Sequence, residues 1–116
     1  VKIKTSELTG KPLDWAVATC EGNGVEFDDP TEPWLTVHGI ALQPLDRYTP
    51  SANWAAGGPI IERNRIELIP NGDGWGAFAD RDEHIPHEGP TPLVAAMRCY
   101  VASKLGDKVD VPEELV

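Results

Sequence analysis

The chain has little that would tie it to a phosphate backbone, a bilayer or an oxidising compartment. Its 116 residues carry 10 Lys and Arg against 19 Asp and Glu, a formal charge of −9. An acidic chain repels phosphate, so nucleic-acid binding would need a local basic patch. The basic residues are scattered instead, and even the Arg63/Arg65 cluster is flanked by Glu62 and Glu67. No nucleic-acid partner is expected. No apolar run approaches the roughly 20 residues that span a bilayer, and Val1-Lys2-Ile3-Lys4-Thr5 holds no apolar core of a signal peptide. The expectation is residence in the cytoplasm without a membrane partner. Two cysteines, Cys20 and Cys99, make neither a disulfide framework nor a Cys-x-x-Cys site. Both fall among apolar residues on predicted helices, where reduced, buried thiols act as small apolar groups. A single bridge is the alternative and suits a cytosolic chain poorly. There is no internal repeat, no like-charge block, no Gly-x-Ser-x-Gly elbow and no Cys beside a His. No catalytic residue and no cofactor are assigned.

What is present is an ordinary globular balance, 41% hydrophobic and 25% charged, long enough for one domain, 1–116, with a small core. Eleven Gly and eleven Pro cut it into short elements. Thr5 to Gly10 reads as a capped turn. Lys11-Pro12 opens a helix with Leu13, Ala16, Val17 and Cys20 on its apolar face, Trp15 at the edge, Asp14 and Glu21 pointing away, and Gly22 at a left-handed cap. Residues 23–33 read as a loop. Trp34 to Leu42 reads as an interrupted strand or a bulged hairpin broken at Gly39. A helix starts at a Thr or Ser cap in Tyr48 to Ala56. Gly57-Gly58-Pro59 then interrupts it, because Pro disfavours helical geometry in the residue before it. Residues Arg65 to Ile69 alternate as a half-buried strand, Asn71-Gly72-Asp73-Gly74 is a hairpin turn, and Trp75 to Ala79 is the return strand. Asp80 to Gly89 reads as a charged loop. Thr91 caps a helix of about 14 residues that Gly106 ends. Leu93, Met97, Tyr100, Val101 and Leu105 form its main stripe, and Ala95, Cys99 and Ala102 make the other side nearly apolar. Such a helix is either the central core element or also meets another subunit. Glu113 and Glu114 belong to an exposed tail.

These elements predict an α+β fold: a small antiparallel sheet holding the hairpin at about 65–79, packed by an N-terminal helix, a broken middle helix and a long C-terminal helix.

The stretches Lys2–Gly10 and Leu13–Ala18, then Tyr48, Pro50-Ser51, Trp54 and Gly57–Arg63, and above all Gly89–Gly106, resemble the NinX-type proteins of lambdoid phages and prophages. The resemblance fades over about 23–46. More weakly, the order of elements is similar to a phage domain described as a helix–sheet–helix sandwich. The resemblance implies a phage or prophage origin and the bacterial cytoplasm; it implies no activity and no catalytic residue.

Three residue groups carry possible chemistry. His84 and His87, at i and i+3 amid the carboxylates of Asp80 to Glu88, are weak candidates for a divalent metal. Pro86 keeps the pair off one regular helix and only His38 remains as a further imidazole, so a solvated loop is the better reading and no metal site is assigned. Gly57-Gly58-Pro59 could offer backbone N–H groups to an anion, but Pro59 removes a donor and no P-loop Lys follows, so close helix packing is preferred. Four tryptophans are many for so short a chain. Trp15 and Trp75 are read as core or half-buried lids, and Trp34 and Trp54, beside Gly- and Pro-rich loops, as lining a contact surface. The leading expectation is a non-enzymatic phage accessory protein that binds a host or phage protein and forms a homo-oligomer; the candidate binding residues are Trp34, Trp54, Gly57, Gly58 and Arg63. The alternative is an enzyme or small-ligand binder that joins the Gly57 turn to Trp54, Arg63 and the His84/His87 loop in one pocket.

Overall fold

The last helix organises the molecule. In the computed structural model, which describes residues 1–29, 31–80 and 83–116, this helix runs Pro92–Leu105. Thr91 Oγ1 accepts from Val94 N at 3.1 Å, Pro92 occupies the first turn, and Gly106 (φ 88°) ends the helix. These are the bounds its capping residues predict.

The first helix, α1, spans Gly10–Cys20. Its C-terminus closes on Gly22 (φ 82°), with Asn23 N donating to Ala18 O at 2.9 Å and Gly22 N to Thr19 O at 3.0 Å. This is the two-bond motif that a left-handed glycine permits. The middle helix, α2, spans Trp54–Asn64 and is continuous, which corrects the expected break. Pro59 sits inside it and removes one donor. The pre-proline clash depends partly on a Cβ, and Gly58 has none, so Gly58 stays helical. The cap is Asn53, whose side chain accepts from Ala55 N at 2.9 Å, rather than a Thr or Ser. With α1 and α2 in place, the Pro92–Leu105 helix is α3.

Among the described residues eight strands make three separate antiparallel sheets. The first pairs β1 (Lys2–Lys4) with β8 (Lys108–Asp110). The second is ordered β2 (Gly24–Glu26), β3 (Trp34–Val37), β4 (Ile40–Pro44). The third is ordered β5 (Glu67–Asn71), β6 (Gly74–Phe78), β7 (His87–Gly89). The predicted hairpin is β5–β6, and its turn is Gly72-Asp73 between the paired Asn71 and Gly74. The 34–42 segment is a hairpin with a bulge: Val37 pairs with Ile40, Thr36 with Ala41 and Leu35 with Gln43, leaving Leu42 extra. Its two turn residues, His38 (φ 53°) and Gly39 (φ 78°), both take positive φ, as a tight hairpin turn requires. Strands β2 and β7 arise in segments read as loops, and β1 and β8 in segments to which the sequence assigned no element. Each has three residues, too few for an alternation to register.

The fold is thus α+β, with the expected sheet divided into three. Helix α3 packs on β6 and β7 and also on α1 and α2. Leu93, Val94, Ala95, Ala96, Met97, Cys99, Tyr100 and Val101 are all buried. Its all-round apolar surface is covered within the chain, so it is the central core helix. Leu105, placed in the apolar stripe by its spacing, is exposed. Leu8, Leu13, Ala16, Val17, Ile60, Ile66, Ala77, Val109 and Val111 complete the core. Trp15 and Trp75 pack against it half-buried. Among the described residues no helix is long and apolar enough to cross a membrane.

Candidate functional site

The β2–β3–β4 sheet stands at the margin of this core, anchored by Leu35, which is buried, while Trp34 beside it is 38% exposed. Antiparallel pairing puts Glu26 directly opposite Trp34. Between β2 and β3, Asp29 Oδ1 accepts from Thr31 N at 2.9 Å and from Thr31 Oγ1 at 2.7 Å, and Glu32 N donates to Asp29 O at 3.0 Å. The two Thr31 bonds hold the Asp29 carboxyl below its usual range. The result is a cleft of about 310 Å³ lined by Glu26, Asp28, Asp29, Glu32, Trp34 and Ala41. One indole and four carboxylates make the wall, and no Lys or Arg is among these lining residues. On the same hairpin, Ile40 and Leu42 of β4 are 71% and 61% exposed, with Ile40 on the sheet face opposite Trp34.

Trp54 lies elsewhere. It is 54% exposed and lines a second cleft, about 570 Å³, with Ser51, Pro92 and Leu93 at the start of α3. Gly57 is buried. A Cβ there would lie within 2.7 Å of the Leu93 side chain and closer still to the Pro50 carbonyl oxygen, so this glycine lets α2 approach its neighbours. Gly58 has open space where its Cβ would be. Arg63 is tied to Glu21 at 2.5 Å. His84 and His87 line a shallow depression with Glu83, Ile85 and Pro86, and His87 Nε2 lies 3.2 Å from Glu83 Oε2. Arg81 and Asp82, part of the candidate metal cluster, lie outside the described residues. Among the described residues no three His, Cys, Asp or Glu are grouped to hold a metal ion. The cleft that Trp54 lines and the depression that His84 and His87 line share no lining residue. The tight packing of Gly57 and the pairing of Arg63 give these two residues a structural role.

Two acidic residues expected to point away from α1 are instead engaged. Asp14 is buried, 4% exposed, and accepts from Ser51 N at 3.0 Å. Burial raises its pKa, and the Ser51 hydrogen bonds act against that rise. Glu21 accepts from Tyr100 Oη and from Arg63, each at 2.5 Å, and so joins the end of α1 to α3 and α2. Burial would raise its pKa, but the bonds from Arg63 and Tyr100 together with the Arg63 charge bring it below the ordinary value. Burial, and then its bond to this carboxylate and the charge there, pushes the Tyr100 hydroxyl up to about 12. Asp14 carries a signal that spacing alone supplied: it lies three and four residues before Val17 and Ala18, on one buried face. Both networks are satisfied internally and leave no open group for chemistry. The free thiols of Cys20 and Cys99 are pushed up by burial to about 11 and about 12.

No curated protein matches the chain. The family model for NinX of bacteriophage P22 matches residues 4–104, including the segment 23–46 over which the sequence resemblance fades. The chain belongs to the bacteriophage P22 NinX family.

Proposed function

We propose that this phage protein is a non-enzymatic protein-binding module whose partner is a host or phage protein. The observation that carries this reading is the concentration of exposed apolar residues on one hairpin. Among the described residues nine large apolar side chains are exposed, and Trp34, Ile40 and Leu42 come from the β3–β4 hairpin alone. Scattered apolar exposure is ordinary, whereas three such residues on one short hairpin, an indole among them, have the character of contact positions; pairing with Val37 sets Ile40 on the sheet face opposite Trp34. The core closes without these residues, so stability does not account for them. The satisfied Asp14 and Glu21 networks and the His84/His87, Gly57 and Arg63 groups supply no catalytic constellation. The test is a triple variant, Trp34→Ala/Ile40→Ser/Leu42→Ser, used as bait beside the parent chain in lysate of phage-infected bacteria. The reading expects unchanged melting and the loss of a partner that the parent retains. An identical set of retained proteins would refute it.

A further inference from the structure

The Trp34 cleft has a chemistry of its own. Its lining residues are Glu26, Asp28, Asp29, Glu32, Trp34 and Ala41, so the charge is of one sign and the apolar wall is an aromatic face. Its volume, about 310 Å³, sits at the lower end of the range of ligand clefts. Three occupants compete for it. A bare metal ion would need carboxylates gathered round one point, and among the described residues no three are grouped that way. A second copy of this chain would bring a net charge of −9 against another −9, and a two-fold contact would set these carboxylates against themselves. A cation at the end of a long aliphatic stem meets neither objection. It is attracted by the field of the cleft, its stem packs on the indole, and a guanidinium or ammonium over the ring gains a cation–π contact.

We infer that the Trp34 cleft binds a Lys- or Arg-bearing extended segment of a partner protein, its cation over the indole among the carboxylates of Glu26, Asp28 and Glu32. The inference rests on the protein-binding reading and specifies the partner's chemistry. Recognition is by side chains more than by strand addition. Strand β4 is at the end of its sheet, but the Leu42 bulge and Pro44 interrupt its ladder and leave few bonds for an added strand. Asp29 is committed to Thr31 and holds the loop, so it positions the cleft rather than meeting the cation.

The experiment uses the whole chain and three capped octapeptides alternating Thr with Arg, with Gln or with Glu, titrated by calorimetry at low and high salt. The Arg peptide is expected to bind, the Gln and Glu peptides are not, and salt is expected to weaken the complex. Trp34→Ala and the triple variant Glu26→Gln/Asp28→Asn/Glu32→Gln are each expected to weaken it about tenfold. All four residues are exposed, so melting temperatures should stay near that of the parent. A charge-matched control, Glu7→Gln/Glu113→Gln/Glu114→Gln, alters exposed residues outside the cleft and should leave binding unchanged. Equal weakening by the control, undiminished binding to Trp34→Ala, or no binding of the Arg peptide overturns the inference. If the Arg peptide fails while the apolar triple variant still loses a captured partner, the protein-binding reading stands and the basic-segment inference falls. A dimer in sedimentation that Trp34→Ala dissolves would also overturn it, assigning the cleft to a second copy.

Discussion

Replacing Glu21 with Ala removes the acceptor that links three helices. The carboxylate receives Tyr100 Oη and Arg63, each at 2.5 Å. The two bonds are unequal. The Arg63 side chain is 56% exposed, so solvent screens the pair and its contribution is about 0–1 kcal/mol. Tyr100 is buried, and a hydrogen bond to a charged group contributes about 1.5–3 kcal/mol, with a further loss when a buried hydroxyl has no partner. Glu21→Ala should therefore cost about 2–3 kcal/mol and Tyr100→Phe about 1.5 kcal/mol, with a coupling near 1.5 kcal/mol in the double-mutant cycle. Urea unfolding read by circular dichroism measures all four corners. The effect depends on pH in a fixed direction. Glu21 has a lowered pKa in the folded chain, so its stabilisation is present above the ordinary carboxylate range. It is lost as pH falls through the depressed folded value. The gap between parent and Glu21→Ala should be level above the ordinary carboxylate range and narrow as pH falls through and below it. A coupling below about 0.5 kcal/mol at neutral pH, or a gap constant across that range, would refute the assignment.

Gly89 of β7 lies against α3, where a Cβ would come within 2.5 Å of Ala95 N and 2.9 Å of Ala95 Cα. Backbone cannot rotate away, so Gly89→Ala should cost about 2–3 kcal/mol and lower Tm by roughly 10 °C. Gly24→Ala meets only the Thr36 hydroxyl, at 2.6 Å, and should cost less than the Gly89 change; similar melting curves would refute the distinction. Thr91→Ala removes the α3 cap to Val94 and should cost about 1 kcal/mol in thermal or urea unfolding. Cys20 and Cys99, with thiols near 11 and 12, should resist iodoacetamide at neutral pH until the chain unfolds, which mass spectrometry of timed samples reads directly.

The sequence alone determined α3 and the β5–β6 hairpin, and it narrowed 34–42 to an interrupted strand or the bulged hairpin that the structure shows. These rest on local chemistry: a Thr-Pro start and Gly stop, a two-residue turn at Gly72, and a turn at Gly39 where positive φ is needed. Each needs only neighbours a few residues away, which is why spacing reveals it. Tertiary structure decided the rest. Strands of three residues exist because a distant partner completes their bonds, as Ile3 does with Val109. Continuity of α2 through Pro59 depends on a glycine that removes a clash, where a general rule of proline predicts a break. Asp14 and Glu21, polar by composition, were assigned to solvent, but Ser51 lies 37 positions from Asp14 and Tyr100 lies 79 from Glu21. No local period encodes such partners. The same holds for the candidate site: Trp34 was legible as an unusual residue, but its acidic surroundings follow from strand pairing with Glu26 and from Asp28, Asp29 and Glu32 lining the same cleft. Local backbone preference fixes elements, while the satisfaction of buried polar groups and the gathering of charge around an indole belong to the packed chain.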